Sequence, residues 1–211
     1  MSDPSKVATG PSAPSALVIA TSNAGKVREF HRLLGELECV GLDAFPAFEG
    51  AVEDGDTFEA NAVKKARHAA TALGRACLAD DSGLCVPALG GAPGVRSARY
   101  AGEAASDAEN VAKLLAALEG KARDAYFACV LALATPAGEL WTAEGRVHGQ
   151  IAAAPRGEGG FGYDPVFVAD AHRRHDSVQT FAEVRPAQKN VISHRADAVK
   201  RLLERVDPSA L

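Results

Sequence analysis

Two aspartates stand side by side in "LADDSGLC", residues 78–85, directly after an apolar run and directly before a serine and a glycine. Successive side chains of an extended backbone point to opposite sides, so only one of Asp80 and Asp81 need face a cleft. A carboxylate in a cleft can hold a metal ion, orient a water molecule or take a proton from it. Ser82 and Gly83 would let a ligand approach the backbone closely. The same letters also suit an Asx-type turn at a strand end, so the pair alone leaves both readings open.

Four other stretches carry residue types with chemistry to offer. "TSNAGK", residues 21–26, joins a short apolar run to a helical pattern. Such a turn exposes backbone N–H groups at a positive helix start, where phosphate is favoured, and Lys26 adds a point charge. It lacks the first glycine and the Ser/Thr of a P-loop, and it also reads as a polar turn with a solvated lysine. "EDGDT", residues 53–57, gathers Glu53, Asp54 and Asp56 in a loop. It is either a solvated acidic loop or the source of an oxygen ligand for Mg²⁺, which is held by one or two carboxylates together with waters and phosphates. "GEGGFGYDP", residues 157–165, combines glycines with two aromatic rings and an acid. It could be a tight structural loop, or Phe161 or Tyr163 could stack on a base while Asp164 orders a neighbouring cation. "QKNVISHR", residues 188–195, puts Lys189, His194 and Arg195 at the start of the last helical pattern. Cations oppose the helix dipole there, which hints at an anionic or carbonyl-bearing ligand. A nucleoside triphosphate with Mg²⁺ would use all five stretches at once.

The elements that must position these residues are legible in outline. Residues 16–21 read as a buried strand, and residues 26–37 as a helix with Val27, Phe30, Leu33, Leu34 and Leu37 on one face. A second helix covers residues 58–74, with Asp56 or Thr57 as its cap and Gly74 at its end. A strand over residues 76–80 runs into "DDSG" as a turn. A third helix over residues 107–120 is capped by Ser106 or Asp107. Residues 125–135 and 138–152 form a hairpin through "PAGE", residues 164–169 a further strand, and residues 193–206 a last helix capped by Ser193. Strand–helix alternation around a hairpin-rich centre predicts an α/β fold with a mixed central sheet and helices on its faces.

The bulk composition narrows the partners. The chain has 211 residues, 47% hydrophobic and 24% charged, with a net charge of −4. That is an ordinary globular balance and lacks the broad basic footprint of a nucleic-acid binder, although a few clustered cations can still dominate one cleft. Cys39, Cys77, Cys85 and Cys129 show no metal or disulfide spacing, the pattern of reduced thiols in a cytoplasmic protein. No apolar segment reaches the roughly 20 residues that span a bilayer. Residues 1–15 are rich in Ser, Pro and Ala, have no signal-peptide core, and read as a disordered leader before one domain over residues 16–211.

"TSNAGKVREF", "TFEANAVKKARHAA", "ADDSGLCVPALGGAPGVRSARYAG", "GGFGYDPVF" and "KNVISHRADAV" together closely resemble the inosine triphosphate pyrophosphatase, or Ham1-like, family. The resemblance runs from about Leu17 to Leu203 in the family's motif order, after a longer leader than the family usually has. It implies two lobes around a nucleotide cleft, a homodimer, and Mg²⁺-dependent cleavage of ITP, dITP or XTP to the monophosphate and pyrophosphate. It also implies roles for residues at matching positions. Thr21, Ser22, Asn23, Ala24, Gly25 and Lys26 match the triphosphate-binding turn. Glu53, counted back from the "TF" pair, matches a metal ligand, and Lys65 a lysine that faces phosphate. Asp81 matches the proton acceptor and second metal ligand, and Ser82 a substrate contact. Phe161, Gly162, Tyr163 and Asp164 match the base-binding loop, while Lys189, His194 and Arg195 match residues that recognise the purine. A phosphatase releasing orthophosphate, or a module that binds without turnover, would be the alternative readings.

Overall fold

The computed structural model describes residues 16–173 and 178–206; the predicted leader over residues 1–15 lies outside them. An uninterrupted aliphatic run makes Leu17–Ile19 a fully buried strand, β1. It pairs in parallel with β2 (Cys39–Gly41) on one side and with the start of β3 (Cys77–Cys85) on the other. Beyond β3 the sheet is antiparallel, through β4 (Asp124–Ala134), β5 (Leu140–Ile151) and β6 (Phe167–Ala169). The order β2-β1-β3-β4-β5-β6 is the mixed sheet that the sequence predicts.

Helices cover both faces. α1 (Ala24–Leu34) and α6 (His194–Leu203) close one face, burying Phe30, Leu34, Ala198, Val199 and Leu202 against Ile19, Leu78, Leu131 and Leu133. α2 (Phe58–Leu73) closes the other, where Ala62, Ala66, Ala69 and Ala70 let the helix lie close to Val18, Ala79 and Ala132. A further core gathers α3 (Asp107–Ala117) with the far ends of β3, β4 and β5 and with Phe167 and Phe181. α4 (Asp170–Arg173) and α5 (Pro186–Ile192) lie in the segment between β6 and α6.

Local signals set most helix ends. Thr57, Ser106 and Ser193 each accept a backbone N–H from the first turn, and Ser106 with Glu109 forms a reciprocal capping box. α1 begins at Ala24 rather than at residue 26, because the Asn23 side chain accepts the Lys26 N–H. It stops at Gly35, whose φ of 61° ends the helix short of the predicted residue 37.

Several elements differ from expectation. "DDSG" is not a turn: residues 80–83 lie inside β3 and pair with Leu131, Val130, Cys129 and Ala128 of β4. Strand β6 begins only at Phe167, after a 3₁₀ turn over Asp164–Val166. Lys189 belongs to α5, separate from the last helix, and β2, α4 and α5 have no counterpart among the predicted elements.

One consequence positions the site. β1 pairs with Cys77 and Leu78 only, and then turns away into α1. Beyond them that edge of β3 carries no strand among the described residues. The start of α1, the start of α6, a 3₁₀ segment over Gly94–Arg99 and the 161–164 loop gather beside this overhang, at the carboxyl ends of the parallel strands.

Candidate active site

The alternation of β3 sends its two aspartates to opposite faces. Asp80, wholly buried, faces α1 and α6, where Lys26 Nζ lies 2.9 Å and Arg195 Nε 3.5 Å from its Oδ2. Burial alone would favour the neutral acid, but the charges of Lys26, Arg195 and Lys65 outweigh it and hold Asp80 well below the usual carboxylate range. The Ser82 hydroxyl donates to the same oxygen at 3.0 Å and accepts from Arg195 Nη2 at 2.8 Å.

Asp81, on the face of α2, is buried to 6% exposure. Lys65 Nζ lies 3.5 Å from its Oδ1, and Asn61 Nδ2 donates to its Oδ2 at 3.0 Å. Here burial wins over Lys65 and Asn61, so the Asp81 carboxyl sits above its ordinary value and takes up a proton more readily. The same Lys65 ammonium reaches Glu53 Oε1 at 3.2 Å, whereas Asp54 pairs outward with Lys64 at 2.6 Å. Of the acids in that loop, it is Glu53 that shares a cation with Asp81.

Two carboxylates converging on one positive charge also suit a divalent cation. Both donors are hard oxygens, and no group of three His, Cys, Asp or Glu side chains converges among the described residues. An ion held by Asp81 and Glu53 would complete its shell with water and phosphate, which matches the habits of Mg²⁺.

Aromatic and cationic groups complete the site. The Phe161 ring has Lys189 Nζ 5.1 Å and the Arg195 guanidinium carbon 5.3 Å from its centroid. Lys189 itself donates to Glu29 Oε1 at 2.8 Å and to Asp164 Oδ2 at 2.6 Å, and Arg195 Nη1 donates to Glu29 Oε2 at 2.8 Å. Burial pushes the Asp164 carboxyl up against the pull of Lys189. Burial also opposes the charge on Glu29, but Arg195 and Lys189 override it and hold Glu29 low. His194 is buried and stacks on Phe127, with ring centroids 4.8 Å apart. Burial, with Arg195 and Lys189 nearby, drives its proton affinity well below the ordinary histidine value, so the ring is neutral; its Nδ1 has no partner among the described residues. The Tyr163 hydroxyl donates to the Ser97 carbonyl at 2.9 Å, which fixes this ring in place.

Most of the site groups border a cleft of about 300 Å³, a small-molecule dimension, with Asp80, Asn61, Glu29 and Lys189 set behind its lining. Thr21, Ser22, Asn23, Lys26, Glu53, Lys65, Asp81 and Ser82 line it together with Phe161, Gly162, Tyr163, Asp164, His194 and Arg195. Three expected residues stand back from it. Lys189 is behind Phe161, and Ala24 and Gly25 lie within the first turn of α1. A Cβ on Gly25 would come within 2.8 Å of the Phe161 ring, so the glycine is needed for that ring to pack.

Sequence reasoning missed several contributors. Ser97, Arg99 and Asp107 line the cleft, and the Ser97 hydroxyl accepts the Leu84 N–H, tying the Gly94–Arg99 segment to the strand. Asp107 accepts the Gly162 N–H at 2.6 Å, and Glu29 anchors both Lys189 and Arg195. Asn61 touches Asp81 directly. Its signal was present: an asparagine inside a helix, four residues before Lys65 and therefore on the same face.

The sequence model of the Ham1 family matches residues 17–205. A protein from Desulforamulus reducens named dITP/XTP pyrophosphatase is 50% identical over 193 residues, covering 89% of this chain and 94% of that protein. A Bacillus subtilis protein of the same name is 47% identical over 190 residues, covering 88% and 93%. Among solved structures, a HAM1 protein from Coxiella burnetii matches with a TM-score of 0.79 at 43% identity, covering 89% of this chain and 96% of that one. The Ham1 protein of Staphylococcus aureus matches with a TM-score of 0.78 at 41% identity, covering 90% and 97%.

Proposed function

Because the chain belongs to the Ham1 family, we propose that it hydrolyses the deaminated purine nucleotides dITP, XTP and ITP to the monophosphate and pyrophosphate. The observation that carries this reading is the pairing of near-complete, roughly half-identical relatives named dITP/XTP pyrophosphatase with a cleft that gathers Lys26, Lys65, Glu53 and Asp81 with the Phe161 ring.

The triphosphate lies along the start of α1 and the β3 overhang, where Lys26 and Lys65 offset its charge and the Thr21, Ser22 and Asn23 turn supplies polar contacts. Asp81 and Glu53 would hold Mg²⁺, which would supply positive charge to offset that of the phosphates. A water attacks the α-phosphorus. Its oxygen forms the new bond to phosphorus, Asp81 takes its proton, and the bond to the bridging oxygen breaks as pyrophosphate leaves. Asp80, ionised between Lys26 and Arg195, orients the cations that meet the substrate. Catalysis is then largely positioning and charge stabilisation.

The base stacks on Phe161, with His194 and the N–H groups at the start of α6 facing its edge. The 6-oxygen of hypoxanthine or xanthine accepts a hydrogen bond, whereas the 6-amino group of adenine can only donate. A mismatched buried polar pair costs roughly 1–3 kcal/mol, enough for a clear preference. The proposal extends to a homodimer, supported by the resemblance, and to the cytoplasm, which four free cysteines suit.

Incubation with dITP, XTP, ITP and ATP in the presence of Mg²⁺, with product identification, tests the reading. Monophosphate plus pyrophosphate from the first three, with ATP poorly used, is expected; orthophosphate release, or equal kcat/KM for ATP and ITP, defeats it. Asp81→Asn should lower kcat by about 100-fold or more with the fold intact, the usual scale for a lost proton acceptor.

A further inference from the structure

The loop that carries Glu53 has no secondary structure, yet it is held at successive points by one face of α2. Along residues 61, 64, 65 and 68, which share that face, Asn61 holds Gly55, Lys64 holds Asp54, Lys65 holds Glu53, and the His68 ring meets the Glu49 carbonyl at 2.8 Å. The helix thus holds the loop in antiparallel register, residue against residue. Asn61 is the innermost of the four and, at 1% exposure, the most deeply buried.

Its carboxamide makes three hydrogen bonds in two directions. Oδ1 accepts the Gly55 N–H at 2.8 Å, and Nδ2 donates to the Gly55 carbonyl at 3.3 Å. Nδ2 also donates to Asp81 Oδ2 at 3.0 Å. Paired to the Gly55 peptide on both sides, the amide cannot rotate without losing a bond, so the N–H offered to Asp81 has a fixed direction. Gly55 is required for this approach, since a Cβ there would lie 2.7 Å from Asn61 Oδ1.

We propose that Asn61 is a positioning residue for the reaction put forward above, on which this inference rests. It occupies Asp81 Oδ2, so that Oδ1, the oxygen facing Lys65, is the one presented to the cleft. It also ties the Glu53 loop to Asp81, so that the two carboxylates hold a constant separation. One amide therefore couples the orientation of one metal-binding acid to the placement of the other, and neither acid needs to touch the other for this. A carboxamide is suited to the task because it offers a donor and an acceptor without adding charge between Asp81 and Glu53. Supporting partners of metal ligands are typically worth about 10–100-fold in metal affinity or activity.

Asn61→Leu, of similar shape, removes every one of these bonds. Gly55→Ala strikes the loop half of the same clasp and serves if the first variant folds poorly. Ala66→Gly, in the same helix and away from the cleft, supplies a control for lost stability. Three readouts are compared: hydrogen exchange of the Gly55 amide, binding of Mn²⁺ alone to the metal-free protein by electron paramagnetic resonance, and kcat against KM with dITP. The expected result for Asn61→Leu is Gly55 exchange at least about tenfold faster, Mn²⁺ binding about tenfold weaker, and kcat down by about 10–100-fold with a smaller change in KM. Gly55→Ala should weaken Mn²⁺ binding in the same sense. If both variants match Ala66→Gly within twofold in exchange and Mn²⁺ affinity, the inference is overturned. Failure of the wild-type protein to cleave dITP or XTP would instead remove the family reading, while the exchange and Mn²⁺ comparisons would still decide the role of Asn61.

Discussion

His194 illustrates how far a residue's surroundings can depart from its usual chemistry. An exposed histidine near pH 6.5 is half charged. Here burial, followed by Arg195 and Lys189, pushes its proton affinity well below the ordinary histidine value, so the ring stays neutral where a free histidine would charge. The unfolded chain therefore binds a proton near pH 6.5 that the folded chain refuses. Stability contributed by this group is fully present above that value and is lost as pH falls below it, at up to about 1.4 kcal/mol per pH unit. His194→Gln removes the titration, so its unfolding free energy should fall less steeply than that of the wild type between pH 6.5 and 5.5. Urea unfolding at several pH values checks this, and parallel slopes would contradict it. A neutral ring also matters for function: it carries one donor and one acceptor, so it can discriminate the polarity of a base edge in a way that a cation cannot.

At the scale of elements, α6 depends on a glycine in the strand beneath it. A Cβ on Gly145 would collide with the backbone of His194 and Ala198. Gly145→Ala must push the start of α6 off β5, and with it His194 and Arg195. We expect a loss of about 1–3 kcal/mol, the usual cost of overpacking, together with a higher KM for dITP, measured by thermal unfolding and steady-state kinetics. A lowered melting temperature with unchanged KM would mean that α6 moves without disturbing the base-binding groups. The elements themselves were unevenly legible in the sequence. α2, α3 and α6 were readable because their caps are local: Thr57, Ser106 and Ser193 act within one turn. β2 escaped because it is three residues long, half-exposed along Cys39 and Val40, and defined only by its partner β1. α5 escaped because Pro186 and the nearby Ser193 cap leave only a short helix between them. "DDSG" read as a turn because adjacent acids seldom enter a sheet. What makes them tolerable is the ladder to β4 and the cations of α1, α2 and α6, all distant in sequence. The site residues were recognisable one motif at a time, but Glu29, Asn61 and Asp107 act through partners that no motif spacing reveals.

At the scale of the whole molecule, the principal acids of the site already have cationic partners within the chain: Lys26 and Arg195 meet Asp80, and Lys65 meets both Asp81 and Glu53. Chelation of the metal should therefore abolish turnover and leave cooperative unfolding in place. An ion in hundredfold excess over its dissociation constant adds about 2.7 kcal/mol, so its removal should lower the melting temperature by no more than about 5–10 °C. Calorimetry with and without chelator tests this; loss of the folded state on chelation would show that the metal is structural.

The placement of Asp80 and Asp81 on consecutive positions of β3 makes the enzyme's chemistry a matter of parity. A strand displaced by a single residue turns every side chain to the opposite face. In this protein such a slip would turn Asp81 to the face of α1 and α6 and Asp80 to the face of α2. The two acids would exchange faces although no residue had changed. The nine-pair ladder between β3 and β4, continued by eleven pairs between β4 and β5, therefore guards more than stability. It works as a counting device that keeps odd and even positions of one strand assigned to different tasks.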